Sequence, residues 1–125
     1  MRYEPAALDF LVTQTNGQPF LTQAVAFELV ECLNEQDRLV ARPSDVEEAI
    51  RRAMGSGIAY FANVWSDAGV EARLVLLALA NGRHPAPTSP TSRSLLRRRD
   101  ILTDDDRFCV PMLERWVRDH TETES

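Results

Sequence analysis

Residues 15–36, which read TNGQPFLTQAVAFELVECLNEQ, decide the fold class because they join a turn to a long helical pattern. Asn16 and Gly17 interrupt the preceding segment, and Pro19 restarts a helix at the N-terminal position that proline tolerates. The apolar residues that follow recur at helical spacing and are Phe20, Ala24, Phe27, Val30 and Leu33. The stretch therefore predicts a helix that packs this apolar face inward and ends between residues 34 and 37.

Amphipathic segments on both sides of this helix extend the pattern. Upstream, Pro5 predicts the start of a helix over residues 5–15. The apolar side of that helix carries Leu8, Leu11 and Val12. Downstream, residues 39–41 are a short extended piece, and Ser44 with Glu47 predicts a capping box at the start of a third helix. The first half of the chain therefore predicts a helical bundle.

The helical pattern is interrupted at two places in the middle of the chain. Residues 55–57, Gly-Ser-Gly, end the third helix, and a fourth helix places Phe61 and Trp65 on one side. Residues 66–69, Ser-Asp-Ala-Gly, are the best internal boundary in the sequence. Residues 70–80, VEARLVLLALA, are apolar almost all round and predict the most buried helix.

The remaining segments follow the winged-helix order in outline. Residues 83–92 are a loop rich in Pro, Ser and Thr, and a short helix over residues 91–99 comes next. Two apolar triplets around the acidic residues 104–106 predict a β-hairpin, and Pro111 opens a last helix. The residues expected to point into the core here are Leu95, Leu96 and Trp116.

Together these segments predict a mainly α protein. A helical bundle occupies residues 1–66, and a winged-helix-like subdomain with one short β-hairpin occupies residues 67–120. Residues 121–125 form a disordered tail.

Composition excludes several classes of function. All fourteen basic residues are arginine, so neither a phosphate loop nor Schiff-base chemistry has its lysine. Cys32 and Cys109 are expected to be free thiols, because they lack metal-ligand spacing and the two histidines lack partners. The chain has neither a signal region nor an apolar run long enough for a bilayer, which predicts a soluble, cytoplasmic protein without membrane contact.

Two candidate sites remain, and neither is catalytic or metal-binding. In the first, Gly17 and Pro19 make a tight turn whose helix N-terminus attracts anions and polar ligand edges, although an ordinary helix junction has the same sequence. In the second, arginines crowd the short helix and could meet phosphates or guanine edges, at Arg93, Arg97, Arg98 and Arg99. Asp100 and residues 104–106 nearly cancel that charge, which ranks a protein-facing role above DNA contact.

The chain resembles the region behind the nucleotide-binding core of STAND-type and archaeal-type AAA+ ATPases. The matching stretches cover most of the chain: TNGQPFLTQAVAFELVECLNEQ, RPSDVEEAI, SGIAYFANVW, EARLVLLALA and LLRRRDILTDDDRFCVPMLERWV. The resemblance implies that the helical bundle is the lid that closes on ATP or ADP, with Gly17 and Pro19 near the nucleotide. It also implies that the winged helix reports nucleotide state to neighbouring domains.

Two features depart from that family. The chain has no phosphate loop or acidic magnesium-binding strand, and the loop over residues 84–92 replaces the second winged-helix helix. The sequence therefore predicts a non-catalytic regulatory module that couples nucleotide state to an adjoining nucleotide-binding domain or a protein partner. The alternatives are a winged-helix DNA-binding transcriptional regulator and a structural adaptor that forms homodimers.

Overall fold

The computed structural model describes residues 1–55, 59–85 and 90–121, with no side chain for residues 120 and 121. It divides into two compact units, Met1–Ile58 and Ala59–Ser125. The division falls before the predicted boundary after Ser66, because the helix that carries Phe61 packs within the second unit. Of the tail predicted to be disordered, residues 122–125 lie outside the described residues.

Three helices and a small parallel sheet build the first unit. In chain order the elements are β1 (Arg2–Tyr3), α1 (Pro5–Thr15), α2 (Pro19–Glu35), β2 (Val40–Ala41) and α3 (Pro43–Gly55). In the sheet, the Arg2 amide donates to the Leu39 carbonyl at 2.8 Å and the Glu4 amide to the Ala41 carbonyl at 2.9 Å. A strand of two residues leaves no alternating pattern in the sequence, and β1 was therefore not predicted.

The predicted ends of α1 and α2 are confirmed, but the face that α2 buries is not the predicted one. The residues of α2 in the core are Leu21, Val25, Leu29, Cys32 and Leu33. Of the five residues of the predicted face, Leu33 is buried and Ala24 is half-buried, whereas Phe20, Phe27 and Val30 are exposed on the side away from the core. The helix is apolar on two sides, and periodicity alone does not say which side meets α3. Leu8 and Val12 of α1 are likewise exposed, whereas Leu11 is buried.

The first turn of α3 also differs from the predicted capping box. The helix begins at Pro43, so Ser44 lies inside the first turn. The Arg42 amide donates to Asp45 Oδ2 at 2.8 Å, and Asp45 Oδ1 pairs with the Arg38 guanidinium. Asp45, and not Glu47 two positions later, therefore supplies the carboxylate that bonds back to the residue before the helix.

The second unit is helical in its described residues. Its elements are α4 (Ala59–Ala68), α5 (Val70–Ala80), α6 (Pro90–Arg98) and α7 (Pro111–Thr121). The mainly α class is thus confirmed for the described chain. The predicted hairpin between α6 and α7 is reduced to one antiparallel bridge, Leu102 with Phe108, closed by the Thr103 amide bonding to the Arg107 carbonyl at 2.7 Å.

The burial predicted for α5 is wrong in degree. The helix α5 is not buried all round, because Val70 is 73% exposed and Leu74 is 60% exposed. Trp65 and Trp116 are partly exposed, which agrees with the prediction that both tryptophans are largely buried. Their rings contact edge-on at a centroid distance of 6.2 Å, and the Arg73 guanidinium lies 6.0 Å from the Trp65 ring.

Cys32 and Cys109 are free thiols, as predicted. Burial raises the pKa of Cys32, and the nearby Arg52 only partly offsets that rise. In a Cys109→Ser variant, we expect the folded Cys32 thiol to react far more slowly with a disulfide reagent at pH 8 than the unfolded one does. Because the native state holds this proton more tightly, the unfolding free energy should fall as the pH rises above about 8.5. Equal labelling rates in native and unfolded chains would contradict this.

Candidate docking site

The outward side of α2 is an apolar surface that no element covers among the described residues of the first unit. Phe20 is 56% exposed, Phe27 is 65% exposed and Val30 is 40% exposed. Phe27 and Val30 follow Phe20 by seven and ten positions, or about two and three helical turns, so all three lie on one side of the helix. We call Phe20, Phe27 and Val30 the α2 outer face. Fully burying one such side chain contributes roughly 1.5–3 kcal/mol, which makes this face a favourable surface for association.

The charge that α1 and α2 themselves carry is all negative. Neither α1 nor α2 contains a basic residue, and α2 carries Glu28, Glu31 and Glu35. Arg52 of α3 binds Glu35 with both terminal nitrogens, each at 3.0 Å, and this hydrogen bonding lowers the pKa of Glu35. Glu31 is exposed and Glu28 half-buried. The apolar stripe is therefore bordered by carboxylates.

The turn before α2 holds the first predicted site. Gly17 has a φ of +65°, which glycine adopts without strain, and its amide bonds to the Val12 carbonyl at 3.1 Å. Pro19 is the exposed first residue of α2. However, the Gln18 side-chain oxygen accepts from the Phe20 amide at 3.1 Å and from the Leu21 amide at 3.4 Å. These two amides, expected to face a ligand, are bonded within the chain.

The arginines of the second predicted site divide into two pairs. Arg93 and Arg97 lie one turn apart on α6, and both bind the carboxylate of Asp106, at 3.3 Å and 2.8 Å. Arg98 and Arg99 are exposed at the end of the helix. Arg99 lines a shallow cleft of about 300 Å³. The sequence predicted all four arginines on one short helix. In the structure, a carboxylate of the following turn already pairs with two of them.

We expect this unit to show no specific DNA binding. Asp106 occupies two of the four guanidinium groups, and residues 104–105 add two further carboxylates to the same turn. Screening over about 8–10 Å keeps more distant surface charge from compensating. Titration of a labelled duplex at low and physiological salt should give only weak, sequence-independent affinity that falls with salt. An Asp106→Ala variant should bind more tightly than wild type, because it releases Arg93 and Arg97. Sub-micromolar, sequence-selective binding that Arg97→Glu abolishes would contradict the expectation.

Across residues 1–55, 59–85 and 90–121, no group of three His, Cys, Asp or Glu side chains is arranged to hold a metal ion. Within the same ranges, no helix combines the length and the apolar character that crossing a membrane requires.

Sequence reasoning assigned the α2 outer face to the core, although the sequence contains a sign of its exposure. Gln23, Glu31 and Asn34 share the side of the helix that carries Phe27, although Glu28 also lies next to Leu29 in the sequence. The polar residues therefore favour exposure of the Phe27 side, but only the packing on α3 decides which side is buried.

No protein-family model matches the chain, and the comparisons with curated proteins and with solved structures find no match either.

Proposed function

We propose that the chain is a non-catalytic regulatory module that binds a protein partner through the α2 outer face. The observation that carries the proposal is the exposure of Phe20 and Phe27 on one side of a helix whose other side is fully packed. Exposed aromatic residues on a rigid element are the kind of anchor that dominates protein–protein interfaces. A solvated helix face with no binding role has little reason to carry two phenylalanines at this spacing.

The partner in this proposal is the adjoining nucleotide-binding domain of a signalling ATPase of the STAND or AAA+ kind. The support is the resemblance of the sequence to the lid and winged-helix region of such proteins, which places the helical lid beside that domain. Gly17 and Pro19 would contact bound ATP or ADP only in that complex, through the outside of their turn. The second unit, in its winged-helix-like role, would pass the nucleotide state to a further domain.

DNA binding by a winged-helix regulator is the runner-up function. The exposed Arg98 and Arg99 favour it, but the carboxylate of Asp106 pairs with the other two arginines, Arg93 and Arg97. Phosphate contacts from two arginines supply little of the affinity that a DNA-binding domain needs. The protein-facing role therefore has the stronger support.

The test places the photoreactive residue benzoylphenylalanine at position 27 in the cells that produce the protein. Irradiation is expected to attach a polypeptide that contains a lysine-bearing phosphate loop, identified by mass spectrometry. The matched control carries the same residue at the exposed position of Asp104, in the second unit, where the yield should fall to background. A yield at position 27 no higher than at position 104 would overturn the proposal.

A further inference from the structure

The geometry of the α2 outer face restricts which kind of secondary-structure element can pack on it. From Phe20 to Val30 the stripe is about 15 Å long and follows helical spacing. An amphipathic helix presents apolar side chains at the same interval and satisfies its own backbone hydrogen bonds. A strand would instead bring unpaired amides and carbonyls against a helix surface, whose own backbone groups are already bonded. The geometry therefore favours a helix.

The charge on this side of the first unit restricts the occupant further. All the charged residues of α1 and α2 are acidic: Asp9, Glu28, Glu31 and Glu35. Of these four residues only Glu35 is paired with Arg52, which also binds Glu48 at 3.4 Å, so the carboxylates of Glu28 and Glu31 border the stripe. Opposite charge at the rim of an interface raises the association rate and rejects acidic partners. Cations can also lie over the exposed rings of Phe20 and Phe27, a contact that anions cannot make.

A second copy of the chain fits this face poorly. A symmetric pair would place the α2 outer face of one copy against the same face of the other. Glu31 of each copy would then approach the carboxylates of its partner, and neither α1 nor α2 offers a cation to compensate. Like charges at an interface are unfavourable, so the acidic rim argues against self-association through this surface.

We infer that the segment that docks on the α2 outer face is an amphipathic helix whose apolar stripe is flanked by arginine or lysine. This inference rests on the proposed function, because it describes the partner of the same face. The partner segment is a basic helix of another polypeptide, with its cations beside Glu28 and Glu31. The resemblance to ATPases does not imply this feature.

The experiment repeats the benzoylphenylalanine crosslink at position 27 and maps the attached segment by peptide sequencing. We expect a helical segment that carries arginine or lysine within one turn of the attachment point. Glu31→Lys should reduce the crosslink yield about threefold to tenfold, and Glu31→Gln by less, because exposed ion pairs are individually weak. Asp104→Lys makes the same charge change in the other unit and should leave the yield unchanged.

The outcomes separate this inference from the proposed function. A strong crosslink to a nucleotide-binding protein at an acidic or uncharged segment would overturn the inference and leave the proposed function standing. The same holds if Glu31→Lys and Asp104→Lys leave the yield equal. Attachment to a second copy of this chain would overturn both, and so would the lack of any protein adduct. Circular dichroism of each variant should match wild type, since both substituted side chains are exposed.

Discussion

Phe61→Ala is expected to destabilise the second unit by about 3–5 kcal/mol, the usual loss when a buried phenylalanine is truncated. Phe61 is fully buried, and its ring contacts Tyr60 at a centroid distance of 5.6 Å and Trp116 at 6.1 Å. The truncation removes both ring contacts and leaves a cavity between α4 and α7 that their packed side chains cannot fill. Urea unfolding followed by tryptophan fluorescence should report the loss, because both tryptophans belong to this unit.

Phe27→Ala is the matched control, with unfolding of the first unit followed by circular dichroism, because residues 1–58 contain no tryptophan. The same side chain is truncated, but from the exposed outer face of α2, where it is 65% exposed. Surface substitutions usually change the unfolding free energy by less than about 0.5 kcal/mol. Equal destabilisation by the two substitutions would contradict both the burial of Phe61 and the exposure of Phe27.

Asp45→Ala is expected to cost the first unit about 1.5–3 kcal/mol, the range for hydrogen bonds to a charged group. Asp45 is 8% exposed, and its carboxylate binds both the Arg42 amide and the Arg38 guanidinium. These two arginines lie on either side of β2, so one carboxylate fixes both the segment before β2 and the start of the helix after it. Its loss therefore leaves a buried amide and a partly buried cation without their partner.

Two variants check this assignment through the unfolding midpoint in urea. Asp45→Asn keeps an oxygen that can accept from the Arg42 amide and should cost less than Asp45→Ala. Arg51→Ala breaks only an exposed pair with Glu48 one turn away and should cost less than about 0.5 kcal/mol. If Arg51→Ala proved as damaging as Asp45→Ala, the buried carboxylate would not have the role described.

The helix boundaries could be predicted from the sequence because local chemistry determines them. Pro5, Pro19 and Pro111 each begin a helix, and Gly17 and Gly82 follow helix ends with positive φ. These signals act over a few residues and need no knowledge of the tertiary packing. The same is true of the mainly α class, which follows from the sum of such segments.

The face that each helix buries could not be predicted in the same way. The helix α2 has apolar residues on two sides, and only its packing on α3 decides that Leu29 is inside and Phe27 outside. The pairing of Arg97 with Asp106 likewise depends on where the turn after α6 places its carboxylates, although the nearness of the two charges in sequence favoured it. Tertiary contacts, which a single sequence does not contain, made the difference in both cases.

The central claim is that α2 binds a protein partner with its outer face, and a crosslinking scan along this helix tests it most directly. Benzoylphenylalanine is placed in turn at Gln23, Phe27 and Asn34, which share the outer side, and at Ala26 and Asp104, which do not. Yields should be high at the first three positions, lower at Ala26 and at background at Asp104, with one phosphate-loop protein attached throughout. The claim would be contradicted if the crosslink yields did not follow this helical periodicity, or if no protein were attached at Phe27.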